Sequence, residues 1–307
     1  MAKEPGRSHE LVALAPSPRF LPPDWKPSAP AWSVSFAQHT TPLVMAYFGT
    51  QLGSDDAAPT GPRLDRFFDG ADGPANAEAA IYRDRAGCHT VLSAAYWTDP
   101  ARYESWQKTS GFAAWWGDRG RLTDGQGHFR EVLTVAPDRI ETIFSYDCLV
   151  GLAKTGQCPV VGPIREHNYW GSTRDRLTVS ANDDLCSAYG DRLPHLGSTL
   201  TAHRRLWVVV PENLAVIRSG QDWTDCAGDE LAQYDASVRP SLVEGMKFLR
   251  DHPDDTGCCD LRFAEETSRD GAPLKKSFSL GYFLTLGHLE KNGLPRIRRI
   301  SQFSRNS

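Results

Sequence analysis

The chain has 307 residues, about twice the ~150 residues of a typical domain, so two domains or one domain built twice are expected. Its 34 Lys and Arg against 38 Asp and Glu leave a net charge of −4, which offers no basic stripe to nucleic acid or to an anionic membrane. With 40% hydrophobic residues, including nine Trp, nine Tyr and thirteen Phe, apolar area for a core is ample and disorder of the whole chain is excluded.

Residues 1 to about 30 carry seven prolines, from Pro5 to Pro30, and are expected to wrap the surface. A short apolar patch broken by Pro16 makes this end a poor secretory signal, so a cytoplasmic location is expected. Pro42 to Gln51 is dense in β-branched and aromatic residues and predicts a strand, followed by a Gly/Asp/Pro-rich excursion from Gly53 to Pro62. A second strand is predicted at Thr90 to Trp97. Asp99-Pro100 then supplies a cap and a first helical residue, and Tyr103, Trp106, Phe112 and Trp116 recur at helical spacing around Gly111.

Arg139–Tyr146 and Leu206–Arg218 read as further strands, the latter as a hairpin turning at Pro211-Glu212-Asn213. Asn182–His203 has no period and reads as a loop. Asp222–Arg250 is the longest helical region: Leu231, Tyr234, Val238, Leu242, Met246 and Leu249 share a face, with Pro240 as a place to split it. No stretch reaches the roughly 18 uninterrupted apolar residues of a membrane span. Seven cysteines, odd in number and without a C-x-x-C pair, predict reduced packing residues, with Cys258-Cys259 following a turn at Thr256-Gly257.

One internal repeat stands out. TVLSAAYWTDPARYESWQ (90–107) and KSFSLGYFLTLGHLEKNG (276–293) share alternating strand residues, a Tyr-aromatic pair, a turn and a helix start, with Tyr103-Glu104 matched by Leu289-Glu290. The expected fold class is α+β, two similar halves each setting helices on an antiparallel sheet.

No HExxH, Walker loop, GxGxxG or GxSxG occurs, and no two of the nine histidines stand at i, i+4. Two polar-aromatic stretches remain: EHNYWGSTRDR (166–176) and IRSGQDW (217–223). On physical grounds the first reads as a surface turn in which Arg174 and Arg176 pair with Glu166 and Asp175, with His167 packed. The second reads as Ser219-Gly220 at a strand end with Asp222 capping the next helix, and His288 reads as a solvent-facing residue of the last helix.

EHNYWGSTRDR and NLAVIRSGQDW strongly resemble segments of the haem-dependent aldoxime dehydratases, also called phenylacetaldoxime dehydratases. The likeness extends through PRFLPPDWKPSAPAW, VLSAAYWTDPARYESW, GMKFLRDHPDDTGC and SFSLGYFLTLGHLEK, to about Lys291. The resemblance implies a pair of ferredoxin-like halves forming a dimeric-type α/β barrel, ferrous haem b as cofactor, and conversion of an aldoxime, R–CH=N–OH, to a nitrile and water. It places Ser219 where a hydroxyl hydrogen-bonds the oxime OH, and Arg176 where an arginine orients the distal network. A small-molecule partner and a homodimer are expected, with no nucleic acid and no membrane.

The departure from the family is at the C-terminus. There the family continues into a Trp-x-x-Ser-His-Pro-Thr-His segment whose last histidine is the axial ligand, and then into a segment with the distal histidine. Here NGLPRIRR (292–299) stands in that place, so the second half is expected to be incomplete and the haem ligand is unassigned, with His288 or Tyr282 as stand-ins. The expected layout is a wrap over 1–35, a haem-containing dehydratase-like domain over 36–291 and a divergent basic tail over 292–307. The alternatives are a catalytically impaired or haem-free binding or regulatory relative, and a cofactor-independent oxygenase.

Overall fold

The computed structural model describes residues 18–36, 41–53, 64–147, 149–156, 158–190, 192–193, 198–200 and 205–291. Residues 1–17, most of the excursion at 53–62, Cys148, and the tail 292–307 lie outside this set.

Seven strands form one antiparallel sheet: β1 (Leu43–Gln51), β2 (Asn76–Arg83), β3 (His89–Trp97), β4 (Gly127–Val135), β5 (Ala215–Asp222), β6 (Cys258–Thr267) and β7 (Pro273–Phe283). Their spatial order is β4-β1-β3-β2-β6-β7-β5. Outward from the β2–β6 junction the order is β2, β3, β1 on one side and β6, β7, β5 on the other. The two copies of the sequence repeat, on β3 and β7, therefore occupy equivalent places. β4 and β5 are the outer strands, and among the described residues no ladder joins them, so the sheet is open.

The junction itself is short, pairing only Glu265, Glu266 and Thr267 with Ile81, Ala80 and Ala79. Side chains inside the sheet's concave face hold the halves together. Arg262 on β6 grips Glu131 on β4 with both terminal nitrogens (2.8 and 2.5 Å), and the Tyr282 hydroxyl on β7 donates to the same carboxylate at 2.7 Å. These strands are far apart in sheet order, so the sheet must curl strongly to bring them within a hydrogen bond.

Strand alternation places Tyr47, Leu92, Tyr96, Ala80, Phe278, Leu280 and Tyr282 on the concave face in one continuous core. The opposite face of the first half carries Val44, Ala46, Phe48, Ala95 and Trp97. It is covered by α1 (Pro100–Thr109) and α2 (Phe112–Gly117). Asp99 caps α1 through the Ala101 N–H at 2.8 Å. The expected single helix is broken at Gly111, whose φ of +81° ends α1 and turns Phe112 back onto Trp106, the rings stacking at 4.8 Å.

Several sequence expectations are corrected. Arg139–Tyr146 is not a sheet strand; Phe144 makes a single bridge to Trp32, and the unpredicted fourth strand of the first half is β4. Leu206–Arg218 is not a hairpin: Leu206–Val208 pairs with Ser198–Leu200, whereas β5 pairs with β7. Asp222 caps no helix; it accepts from the Thr224 N–H at 3.0 Å and pairs with Lys276. Pro240 does not split the long helix. α4 (Gly228–Gln233) passes through a π-helical segment, Tyr234–Val238, into α5 (Arg239–Asp251), whose first turn accepts the proline.

Trp106 is 1% exposed, and its indole N–H donates to the Phe67 carbonyl at 2.6 Å. Trp106→Ala leaves a cavity beneath five neighbouring aromatic rings and an unpaired carbonyl, and is expected to lower the unfolding free energy by about 3–5 kcal/mol in denaturant melts.

Candidate functional site

The first polar-aromatic stretch folds as a turn leading into α3 (Ser172–Arg176), with its acidic groups turned inward. Asp175 is buried and accepts the backbone N–H of Arg19 (2.7 Å) and Phe20 (3.1 Å) and the Tyr169 hydroxyl (2.7 Å). Burial and then the Asp175 carboxylate push the Tyr169 phenol far above its usual range. Trp25 donates to the His167 carbonyl at 3.0 Å, and Phe20 meets Trp170 edge-on at 5.2 Å. Gly171 is required here, because its φ is +83° and a Cβ would sit 2.5 Å from the Phe20 ring. Much of this stretch therefore anchors the proline-rich wrap. His167 is packed as expected, and its burial lowers its pKa, favouring the neutral ring.

The arginines of α3 do not form the surface pairs read from the sequence. Arg174 bonds Glu290 on the helix over 286–291 at 2.9 Å. Arg176, its side chain 4% exposed, bonds Glu141 at 2.7 Å and the Glu166 carbonyl at 2.7 Å. Glu141 is the residue that sequence reasoning missed, since no spacing ties position 141 to 176. A cavity of about 430 Å³ lies beside Arg174, lined by Phe20, Trp170, Gly287 and Glu290.

Ser219 lies elsewhere. On β5, Val216 joins the concave-face core, while Arg218 lies 4.4 Å over the Phe278 ring of that core. Ala215 and Ile217 pack on the opposite face with Leu261 and Phe283, under Met246 and Leu249 of α5. Alternation therefore puts Ser219 and Gln221 on the helix side. The helix touches that row at two places: Tyr234 donates its hydroxyl to Gln221 at 2.6 Å, and Met246 and Leu249 join the cluster holding Ile217. Between Tyr234 and Met246 run about 18 Å of helix, and Ser219, between the two anchor points, is exposed. No residue of 228–251 is fully buried, although the helix carries an apolar face. Across the ladder the exposed Ser219 faces the buried Ser279.

A larger cavity of about 1330 Å³ runs along the β6 side of the same helix, with Val243, Met246 and Lys247 on one wall and Leu261 and Phe263 on the other. Neither Ser219 nor Arg176 lines it, and among the described hydrogen bonds none joins Arg176 to Ser219.

The residues around Ser219 fit part of a haem site. Apolar side chains, a hydroxyl and a partly uncovered helix face suit a flat apolar ring, but an axial imidazole is not presented on this face by the described residues. The His288 Nδ1 sits 2.7 Å from the Thr285 hydroxyl, and its ring packs where a Cβ on Gly257 would stand. His288 is thus packed rather than simply solvent-facing. Tyr282 points to the concave face, opposite Ser219, with its hydroxyl on Glu131, which removes it as a ligand acting beside that serine. Among the described residues no cluster of three or more His, Cys, Asp or Glu is placed to hold a metal ion, and no helix is long and apolar enough to cross a membrane.

Comparison with known proteins gives these features a family. A model of the haem-containing dehydratases matches residues 46–295. An aliphatic aldoxime dehydratase of Rhodococcus globerulus is 34% identical over 280 residues, covering 89% of this chain and 78% of the relative. One from a Pseudomonas species is 32% identical over 278 residues, with 89% and 78% covered. A phenylacetaldoxime dehydratase of Bacillus sp. (strain OxB-1) is 33% identical over 281 residues, with 88% and 77% covered. The crystal structure of an aldoxime dehydratase in complex with butyraldoxime superposes with a TM-score of 0.82 at 29% identity, over 95% of this chain and 83% of that one. On this match of sequence and fold along nearly its whole described length, the chain belongs to the haem-containing dehydratase family.

Proposed function

We propose that this protein is a haem-dependent lyase that dehydrates aldoximes to nitriles, with Ser219 at its reaction site. The observation that carries the reading is the exposed Ser219 hydroxyl, set between the two places where the helix meets its strand. Bound ferrous haem would supply the electron density that weakens the oxime N–O bond.

The chain's own residues have the remaining work. Ser219 hydrogen-bonds the oxime hydroxyl and holds it as the N–O bond lengthens, where a fixed donor stabilises developing negative charge more than water does. Ile217, Met246 and Leu249 form the apolar wall and keep water away, which strengthens that hydrogen bond. Arg176 keeps its place through Glu141 and the Glu166 carbonyl, and we assign it the supporting role of ordering the polar groups around the leaving hydroxide.

We read the halves of the sheet as two ferredoxin-like units of a barrel-type fold. The strand order β4-β1-β3-β2 in the first half and its counterpart β6-β7-β5 in the second support this. In this layout residues 36–291 make one dehydratase-like domain and residues 1–35 a wrap anchored on Asp175. A cytoplasmic homodimer is the setting we assign.

A second reading, a haem-free relative that binds aldoximes or related small molecules, is favoured by one observation: the His288 imidazole is already engaged by Thr285. Spectra separate the two. On the first reading, the dithionite-reduced full chain with one equivalent of haem gives a sharp Soret band that shifts on adding phenylacetaldoxime, and His288→Ala abolishes the band if His288 is the iron ligand. A broad free-haem spectrum with no shift overturns it in favour of the second.

Ser219→Ala is expected to lower kcat by about 10²–10³-fold while keeping the aldoxime-induced Soret shift. Unchanged turnover removes Ser219 from the reaction. Arg176→Met leaves Glu141 and a buried carbonyl without their donor, and is expected to cost about 3 kcal/mol of stability in denaturant unfolding.

A further inference from the structure

On the concave face, directly behind Ser219, the Arg218 guanidinium makes a contact that the reaction as described does not use. Its Nη2 donates to Glu78 Oε2 on β2 and to Glu266 Oε1 on β6, both at 2.8 Å, while the group lies 4.4 Å over the Phe278 ring of β7. β5 is the outermost strand of its half, and β2 is three positions away across β7 and β6. Three strand spacings on a flat sheet are about 14 Å, so the contact exists only because the sheet curls. The side chain is 13% exposed and its two partners 8% and 12%.

The cluster is built rather than incidental. Glu78 also accepts the Gly151 N–H at 2.9 Å, and Asn76 returns a bond to the Gly151 carbonyl at 2.8 Å, so a turn of chain closes over the guanidinium. Gly151 has a φ of +56°, and a Cβ there would stand 3.2 Å from the Tyr96 hydroxyl and 3.6 Å from the guanidinium. Burial alone would draw the arginine's pKa down; Tyr96, Glu78 and Glu266 outweigh it and keep the charge fixed.

Among the described residues β5 has a ladder on one side only, with β7. An edge strand bonded on one side can twist and fray, and Ser219 is on its exposed stretch. We propose that Arg218 is a positioning residue for Ser219: by tying the edge strand to β6 and β2 from the concave side, it fixes the height and twist at which the Ser219 hydroxyl is presented on the other side. The proposal rests on the reading of Ser219 as the group that meets the oxime. Arg218 touches neither substrate nor cofactor; it acts through the one peptide unit that joins it to the serine.

The test compares Arg218→Met, Arg218→Lys, Ser219→Ala and the Arg218→Met/Ser219→Ala double variant in the haem-loaded full chain with phenylacetaldoxime, together with amide hydrogen exchange. Arg218→Met is expected to lower kcat at least tenfold with KM within twofold. It is also expected to speed exchange of the β5 amides at least tenfold while those of β1 and β3 stay as in the parent. Arg218→Lys, whose ammonium reaches both carboxylates, recovers most of the loss, and the double variant is no slower than Ser219→Ala alone.

If Arg218→Met fails to fold, Arg218→Met/Glu266→Gln, which also removes the surplus buried carboxylate, replaces it in every comparison. Unchanged kcat, unchanged β5 exchange, or losses that multiply in the double variant overturn the proposal while leaving Ser219 in place. Parent-like turnover by Ser219→Ala, or no aldoxime binding by the parent protein, overturns the Ser219 reading and the proposal with it; faster β5 exchange in Arg218→Met then marks a clamp serving the fold alone.

Discussion

The curl of the sheet rests on charged side chains that meet inside it. Only three residue pairs join β2 to β6, too short a ladder to set the angle between two three- or four-stranded halves. The concave face supplies what the ladder lacks, through Arg262 on Glu131 and Arg218 on Glu78 and Glu266. Buried ion pairs add little net stability, because each charge loses its water, but breaking one strands the other charge and costs several kcal/mol. Their effect is selective: a flatter or differently twisted sheet would bury these groups without partners.

The two sides of the sheet have different tasks as a result. In the first half the side away from the concavity is closed by aromatic packing, with Phe48, Trp97, Trp106 and Phe112 in mutual ring contact beneath α1 and α2. In the second half the equivalent side is covered by a helix touching β5 only near its ends. The same repeat therefore gives a solid aromatic layer once and a looser, partly exposed layer once. The π-helical turn at Tyr234–Val238 begins at the first of those contacts, and its extra residue per turn shifts the side chains that follow.

Three features of the fold were legible because they depend on neighbours in sequence. The strands at 43–51 and 89–97, the cap at Asp99-Pro100 and the repeat linking β3 to β7 were all read from local pattern, and the family was read from two motifs. β4 was missed for a physical reason. Glu131 faces inward between Phe129 and Leu133, while Val132 is exposed, which inverts the pattern that marks a strand. The inversion makes sense only once Arg262 and Tyr282, more than 130 positions away, arrive at the carboxylate. Gly111 broke a helix that spacing had read through, because a positive φ leaves no trace in hydrophobic periodicity.

The sequence by itself determined the family and the antiparallel α+β class, since each is written in residue identities and short spacings, and the family resemblance in turn singled out Ser219 and Arg176 as candidates. Tertiary structure alone decided that Ser219 is on the helix side of the sheet while its neighbour Arg218 faces the core, that Arg176 belongs with Glu141, and that Asp175 and Tyr169 serve the N-terminal wrap. It also decided that Tyr282 is on the wrong face to act beside Ser219 and that the His288 ring is held by Thr285. Which face a strand residue takes, and which charge it meets there, depends on sheet curl and on partners up to 151 positions away, and long-range geometry of that kind has no signature in a local window.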